Sequence, residues 1–283
     1  MSAQDIDVPV SGVEQAAPED RRVLRAALRW TAAVLVFAAA GAATAYGLTR
    51  ADRTDLPGLA TRNDGRWAYP KLAKPAVPAG APVGTDPVNR ELRHYEALAE
   101  LLLPAPAGAR PDAAFKADKA AGVTPEAFLD EYAPDVREAM KQSLEWDGLR
   151  QIAGRGWIMP DGTRTHIYLL RFHSSGFVDT FGGCNATTRL GGVPAVELDP
   201  AWSAVKLKQP PTGTPQGIAG SGTPSSSTIS LYQEAKPVGG VARTRLGCLQ
   251  TGDVQAVIVQ AREGGAAVTA FHQTAILQSQ LLG

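Results

Sequence analysis

The sequence predicts an α+β fold: a mainly antiparallel sheet with helices packed on one face, preceded by a transmembrane helix and a Pro-rich linker. Three observations carry this expectation. Trp30–Thr49 holds no charged side chain, residues 51 to 90 contain six prolines, and from residue 148 onward β-rich runs alternate with helical periods. Strands that pair as hairpins and are then followed by helices build an antiparallel sheet with helices laid against it.

The uncharged run Trp30–Thr49 spans 20 residues. At about 1.5 Å per residue it reaches about 30 Å, the thickness of a hydrocarbon core. Val34, Leu35, Val36 and Phe37 carry its hydrophobicity, and the rest is mostly small residues that transmembrane helices tolerate. Trp30 and Tyr46 sit near its ends, where amphipathic rings prefer the interface, and Arg29 and Arg50 bracket it. Arg21, Arg22, Arg25 and Arg29 crowd the N-terminal side, whereas Arg50 and Arg53 stand alone just after the run, with Arg62 and Arg66 further on. The bias places the N-terminus in the cytoplasm and the C-terminal residues outside.

Two other readings fit the same residues. Asp20-Arg21-Arg22-Val23-Leu24-Arg25 is similar to a twin-arginine export signal, with Ala43-Thr44-Ala45 as a cleavage site, although Asp20 stands where Ser or Thr is usual. A buried Ala-rich core helix is the third reading, opposed by the basic cluster and the prolines that follow. A lipoprotein is excluded for this run, because no Cys precedes Cys184.

The expected layout is a disordered cytoplasmic tail (1–28), a transmembrane helix in the lipid bilayer (29–50), a Pro-rich linker (51–88) and an extracytoplasmic α+β domain (89–283). The linker is expected to be semi-rigid and extended. Within it, "RWAYP" (Arg66 to Pro70) is an aromatic island able to dock on the domain. Leu92, Tyr95, Ala99 and Leu102 predict a helix over 90–103, stopped by Pro104. Thr124-Pro125-Glu126 is a helix start, with a capping hydroxyl followed by Pro at the first turn. Val136, Met140 and Leu144 predict a second helix over 135–145.

Pro160-Asp161-Gly162 joins two β-rich runs, predicting a hairpin of 150–159 and 163–172. "SSGFVDTFGGC" reads as a short helix capped by Ser174 or Ser175. Residues 203 to 227 are rich in Pro, Gly and Ser and read as a mobile loop. "TISLYQEA", "VARTRLGCLQ" and "DVQAVIVQARE" read as strands, and 267–282 as a terminal helix. A hairpin followed by a helix thus occurs twice, in 150–183 and 241–282.

The chain has 28 Lys and Arg against 28 Asp and Glu. Zero net charge argues against a nucleic-acid partner, which demands a basic face. Cys184 and Cys248 are the only cysteines. In an oxidising exterior two lone cysteines invite a disulfide, with free thiols as the alternative. No C-x-x-C and no H-E-x-x-H occurs, so no metal site is expected. The histidines His94, His166, His173 and His272 are scattered and read as surface or satisfied core residues. "AGSG" (219 to 222) lacks the first glycine of an esterase elbow, and "GRGWIM" (154 to 159) lacks the third glycine of a dinucleotide loop. No catalytic residue and no cofactor is therefore expected.

The tail from Leu246 to Gly283, together with "RTHIYLLRFHSS", resembles uncharacterised single-pass actinobacterial membrane proteins and, faintly, sensor-like ectodomains. The resemblance covers residues 148 to 283 and transfers no site residue. It implies a non-catalytic binding or sensing module of the cell envelope, whose partner is an envelope protein or a small ligand. The alternatives are an envelope hydrolase with dispersed catalytic residues, or a structural partner of another membrane protein.

Overall fold

The computed structural model describes residues 20–50, 64–83, 86, 88–90, 92–203 and 228–283. The first part of the linker, the leader and the Pro/Gly/Ser-rich residues 204–227, with their "AGSG", lie outside the described residues. The chain divides into two compact units, Met1–Asn63 and Asp64–Gly283.

The first unit contains one described helix, α1 (Asp20–Arg50), which begins well before the expected span. Its stretch Val23–Gly47 has a mean hydropathy of 1.6 and is long and apolar enough to cross a membrane. Thr31 donates to the Ala27 carbonyl at 2.7 Å and Thr44 to the Ala40 carbonyl at 2.8 Å. These bonds satisfy the hydroxyls inside the helix.

The second unit is built on seven strands: β1 (Arg110–Pro111), β2 (Leu149–Ile158), β3 (Arg164–Phe172), β4 (Val196–Leu198), β5 (Thr228–Glu234), β6 (Thr244–Thr251) and β7 (Val254–Ala261). They form one sheet in the order β1-β2-β3-β7-β6-β5-β4, with every neighbour pair antiparallel. The helices are α2 (Pro125–Leu129), α3 (Arg137–Trp146), α4 (Ser175–Thr180) and α5 (Val268–Leu282). The expected hairpins and the cap at Thr124, whose hydroxyl accepts from the Ala127 amide, are all present.

Helices cover both faces of the sheet, which corrects the expectation of one. Tyr168, Leu170 and Phe172 of β3 pack with Phe128 of α2, Leu144 of α3 and Val178 of α4. The alternate residues Ile167 and Leu169 pack with Phe271, Ala275 and Leu281 of α5. The reason is visible in β7, where every residue but the last is buried. A strand without polar alternation needs cover on both sides. The repeated hairpin–helix order is therefore not a repeat in space, since α4 and α5 sit on opposite faces.

Among the described residues of 90–103 the expected helix is absent, and a 3₁₀ turn, Leu98–Leu101, forms there. Leu92 has φ of 49°, outside the right-handed helical region. Tertiary bonds also claim the backbone groups a helix would use. The Gln278 side chain of α5 donates to the Leu101 carbonyl and accepts from the Leu103 amide, both at 2.9 Å. Leu98, Leu101, Leu102 and Leu103 are all buried, so the apolar run packs through a 3₁₀ turn and the residues after it rather than along one α-helix face.

Gln273 repeats this device on the described end of the linker. Its amide accepts from the Trp67 nitrogen at 2.8 Å and donates to the Trp67 carbonyl at 2.9 Å. Tyr69 hydroxyl bonds Thr274 at 2.8 Å, and Trp67, Tyr69 and Leu72 pack against the α5 core. The aromatic island thus docks, and the compact unit starts at Asp64 rather than at residue 89.

Cys184, just past α4, is bonded to Cys248 of β6 across a separation of 64 residues. Closing a loop of that length restricts the unfolded chain by about 4 kcal/mol in the chain-entropy account. A Cys184→Ala/Cys248→Ala variant is expected to lose stability of that order, read as a lower urea midpoint than the oxidised protein. An unchanged midpoint would show that the bridge does not staple the fold.

Candidate functional site

The face of the sheet carrying α2 to α4 holds the densest polar chemistry in the second unit. It begins with two glycines. Gly154 and Gly156 both turn toward this face, and the ring of Phe115 lies in the trough they leave. A Cβ at Gly156 would stand 2.6 Å from Phe115 Cγ and 2.8 Å from its Cβ. The "GRGW" stretch thus makes room for a ring rather than for a phosphate. Phe115 in turn packs against His166 and Tyr168, at 4.9 Å and 5.3 Å between ring centres.

His166 and Tyr168 stand two apart on β3 and so share a face. His166 Nδ1 lies 2.5 Å from Glu131 Oε1, and its Nε2 lies 3.0 Å from Asp112 Oδ2. The Tyr168 hydroxyl donates to the same Glu131 oxygen at 2.7 Å, and Arg164 Nε lies 2.9 Å from Asp112. Burial opposes charge on the His166 ring, but the two carboxylates together outweigh it and hold its pKa above the ordinary imidazole value. Burial likewise opposes the Asp112 charge, yet His166, the Ala114 amide and Arg164 keep that carboxyl below its usual range. Tyr168 is pushed up by burial and then by Glu131, so it stays a proton donor.

Both ring nitrogens of His166 are thus engaged by carboxylates. The arrangement is a clamp. It fastens the 112–118 loop and the end of α2 onto β3.

Three depressions adjoin this clamp. The largest is a groove of about 790 Å³ between Lys116–Asp118, Gly122–Ala127 and the first residues of β2, Leu149–Ile152. It shares Lys116 and Ala127 with a depression of about 160 Å³. Glu131 and His166 form the wall between that one and a third of about 170 Å³. Val123, Leu149 and Ile152 give the groove an apolar floor, and Lys116 and Arg150 stand at its rim.

Two other histidines also hold buried acids. His94 Nδ1 bonds Asp253 at 2.8 Å and its Nε2 bonds the Leu282 carbonyl at 2.8 Å. Burial opposes its charge, but Asp253 and that carbonyl hold its pKa above the ordinary value. His272 Nε2 lies 3.0 Å from Asp199, which also pairs with Arg245 at 2.9 Å. His173 packs near Phe177 and the backbone of Gly148. Among the described residues no group of three or more His, Cys, Asp or Glu could hold a metal. Cys184 and Cys248, the two site residues expected from sequence, line a fourth depression of about 270 Å³ as a disulfide, not as thiols.

Asp112, Phe115 and Glu131 carry no signal in the sequence, because they meet β3 only through the fold. The i, i+2 pair His166 and Tyr168 was the one readable hint. No protein-family model, curated protein or solved structure matches this chain.

The clamps set an alkaline limit on stability. A histidine with a raised folded pKa stabilises fully below its unfolded pKa of about 6.5, and this is lost as pH rises through the higher folded value. Asp112, with a lowered folded pKa, contributes above its unfolded value of about 3.9, and this is lost as pH falls through the lower folded value. Urea midpoints are expected to fall as pH is raised past neutrality, and less steeply in His166→Gln. An identical alkaline slope in the variant would rule out the clamp as its source. Gly156→Ala is expected to cost about 1–3 kcal/mol by crowding Phe115, and much less in a Phe115→Ala background. Additive losses in that double-mutant cycle would show that the glycine is not there for the ring.

Proposed function

We propose that this chain is a membrane-anchored, extracytoplasmic binding module, with α1 as a single span, its N-terminus cytoplasmic, and the groove beside β2 as the ligand site. The groove is the observation that carries the reading. Its volume of about 790 Å³ lies within the range of ligand clefts, and it joins an apolar floor to a few polar groups. Two facts support the rest: a helix long and apolar enough to cross a bilayer, and a disulfide, which persists in oxidising surroundings.

Topology is tested by fusing alkaline phosphatase or a fluorescent protein after Gly283. An active phosphatase and a dark fluorescent fusion are expected, and the reverse pair would overturn the orientation. Binding is tested by an NMR fragment screen on the full chain in nanodiscs. Hits are expected to perturb Val123, Thr124 and Leu149–Ile152; hits mapping elsewhere, or none, would remove the groove as the ligand site.

A further inference from the structure

The reading of the groove as a binding site can be taken further, to the class of ligand. β2 is paired on its outer side only in part. β1 covers Trp157 and Ile158, and the 121–123 segment covers Ile152 to Gly154 through bonds such as Val123 N to Ile152 O at 3.0 Å. At Thr124 the chain turns away to start α2. Beside Leu149–Gln151 no further strand follows among the described residues, and the groove runs there.

The register of β2 against β3 slips between Leu149 and Gln151. Successive strand residues normally point to opposite faces. The irregularity lets Leu149, Arg150, Gln151 and Ile152 all line one groove. Bulges beside binding sites re-aim a side chain in this way, and they also interrupt any continuous added ladder. Recognition here therefore falls on side chains.

The charges at the rim are unequal. Lys116 is paired with Asp130 at 2.8 Å, and the Asp118 carboxylate already accepts from the Ala120 and Gly122 amides. Arg150 is exposed and has no ion pair among the described residues. Burial lowers the pKa of the nearby Arg171 guanidinium, Asp253 opposes that and Arg150 adds to it, so the Arg171 charge is already met by Asp253 and Glu96. The unpaired Arg150 guanidinium is the group left to favour a carboxylate from outside.

The lining favours a polypeptide over a sugar or a base. None of the groove's residues is aromatic, so no ring is there to stack on a sugar or a base. The chain enters the unit at the other end of the strands. Gly65 lies beside Thr269 at the start of α5, whereas the end of α5 is tied through His94 and Asp253 to Phe172, the partner of Leu149.

We propose that the groove receives an extended, acidic segment of a partner polypeptide, with Arg150 binding a carboxylate and Val123, Leu149 and Ile152 receiving the neighbouring apolar side chain. This rests on the groove being the binding site. The test is panning of the full chain in nanodiscs against displayed random peptides of twelve residues. Enriched peptides are expected to carry Asp or Glu beside apolar residues. In anisotropy titrations Arg150→Glu should weaken them at least tenfold, and replacing their acid by Lys should restore binding to that variant. Gln151→Trp, at an exposed position, should block them by filling the groove, with melting curves confirming that both variants fold. No enrichment, enrichment without acids, or binding indifferent to both variants would overturn the proposal. Fragments that map to the groove without peptide enrichment would discard the peptide class and leave the groove standing as a site. Loss of both would remove both.

Discussion

The two-sided burial of the central strands β3 and β7 governs the rest of the second unit. Both strands carry apolar side chains on each face, so neither face can be left to water. Burying large side chains such as Trp157, Phe172 and Phe271 contributes about 1.5–3 kcal/mol each, and exposing either face would forfeit a whole layer of them. One face is closed by α2, α3 and α4, and the other by α5 with the extended strip at residues 67–72 and the 3₁₀-containing segment 98–103.

Such segments bring a second problem, because their amides and carbonyls are buried without a ladder to pair them. Gln273 and Gln278 solve it from α5. Each presents one acceptor and one donor to a passing backbone, as a strand neighbour would. These amides look like helix-surface residues in sequence, yet Gln278 is fully buried. The segment around Trp67 and Tyr69 is thereby part of the second unit.

Buried carboxylates follow a related rule. Asp112, Asp199 and Asp253 are each nearly inaccessible, and each is met by a histidine. A buried charge left alone is costly, whereas one that is paired and hydrogen-bonded is tolerated. Asp199 adds the Arg245 guanidinium and the amides of Ala201 and Trp202 to its set. Each clamp joins elements far apart in the chain. The face with the groove is consequently held by His166 at its centre, while Arg150 at the rim stays uncommitted.

The sequence by itself determined what depends on neighbours along the chain. The apolar run of α1, the turn at Pro160–Gly162, the cap at Thr124 and the strand periods of β2, β3, β6 and β7 are local patterns, and they appear where they were expected. The pairing of Cys184 with Cys248 was also legible, since two cysteines offer one partner each. The helix over 90–103 was misread because a one-face apolar spacing says nothing of the Gln278 amide and Asp253 backbone that hold that segment out of an α-helix. Only the tertiary structure decided that both sheet faces are covered, where the groove lies, and which acid meets which histidine. The clamps span separations of 35, 54 and 159 residues. At such distances along the chain no spacing rule operates, and only the folded sheet, by fixing which side chains share a face, brings them within bonding reach.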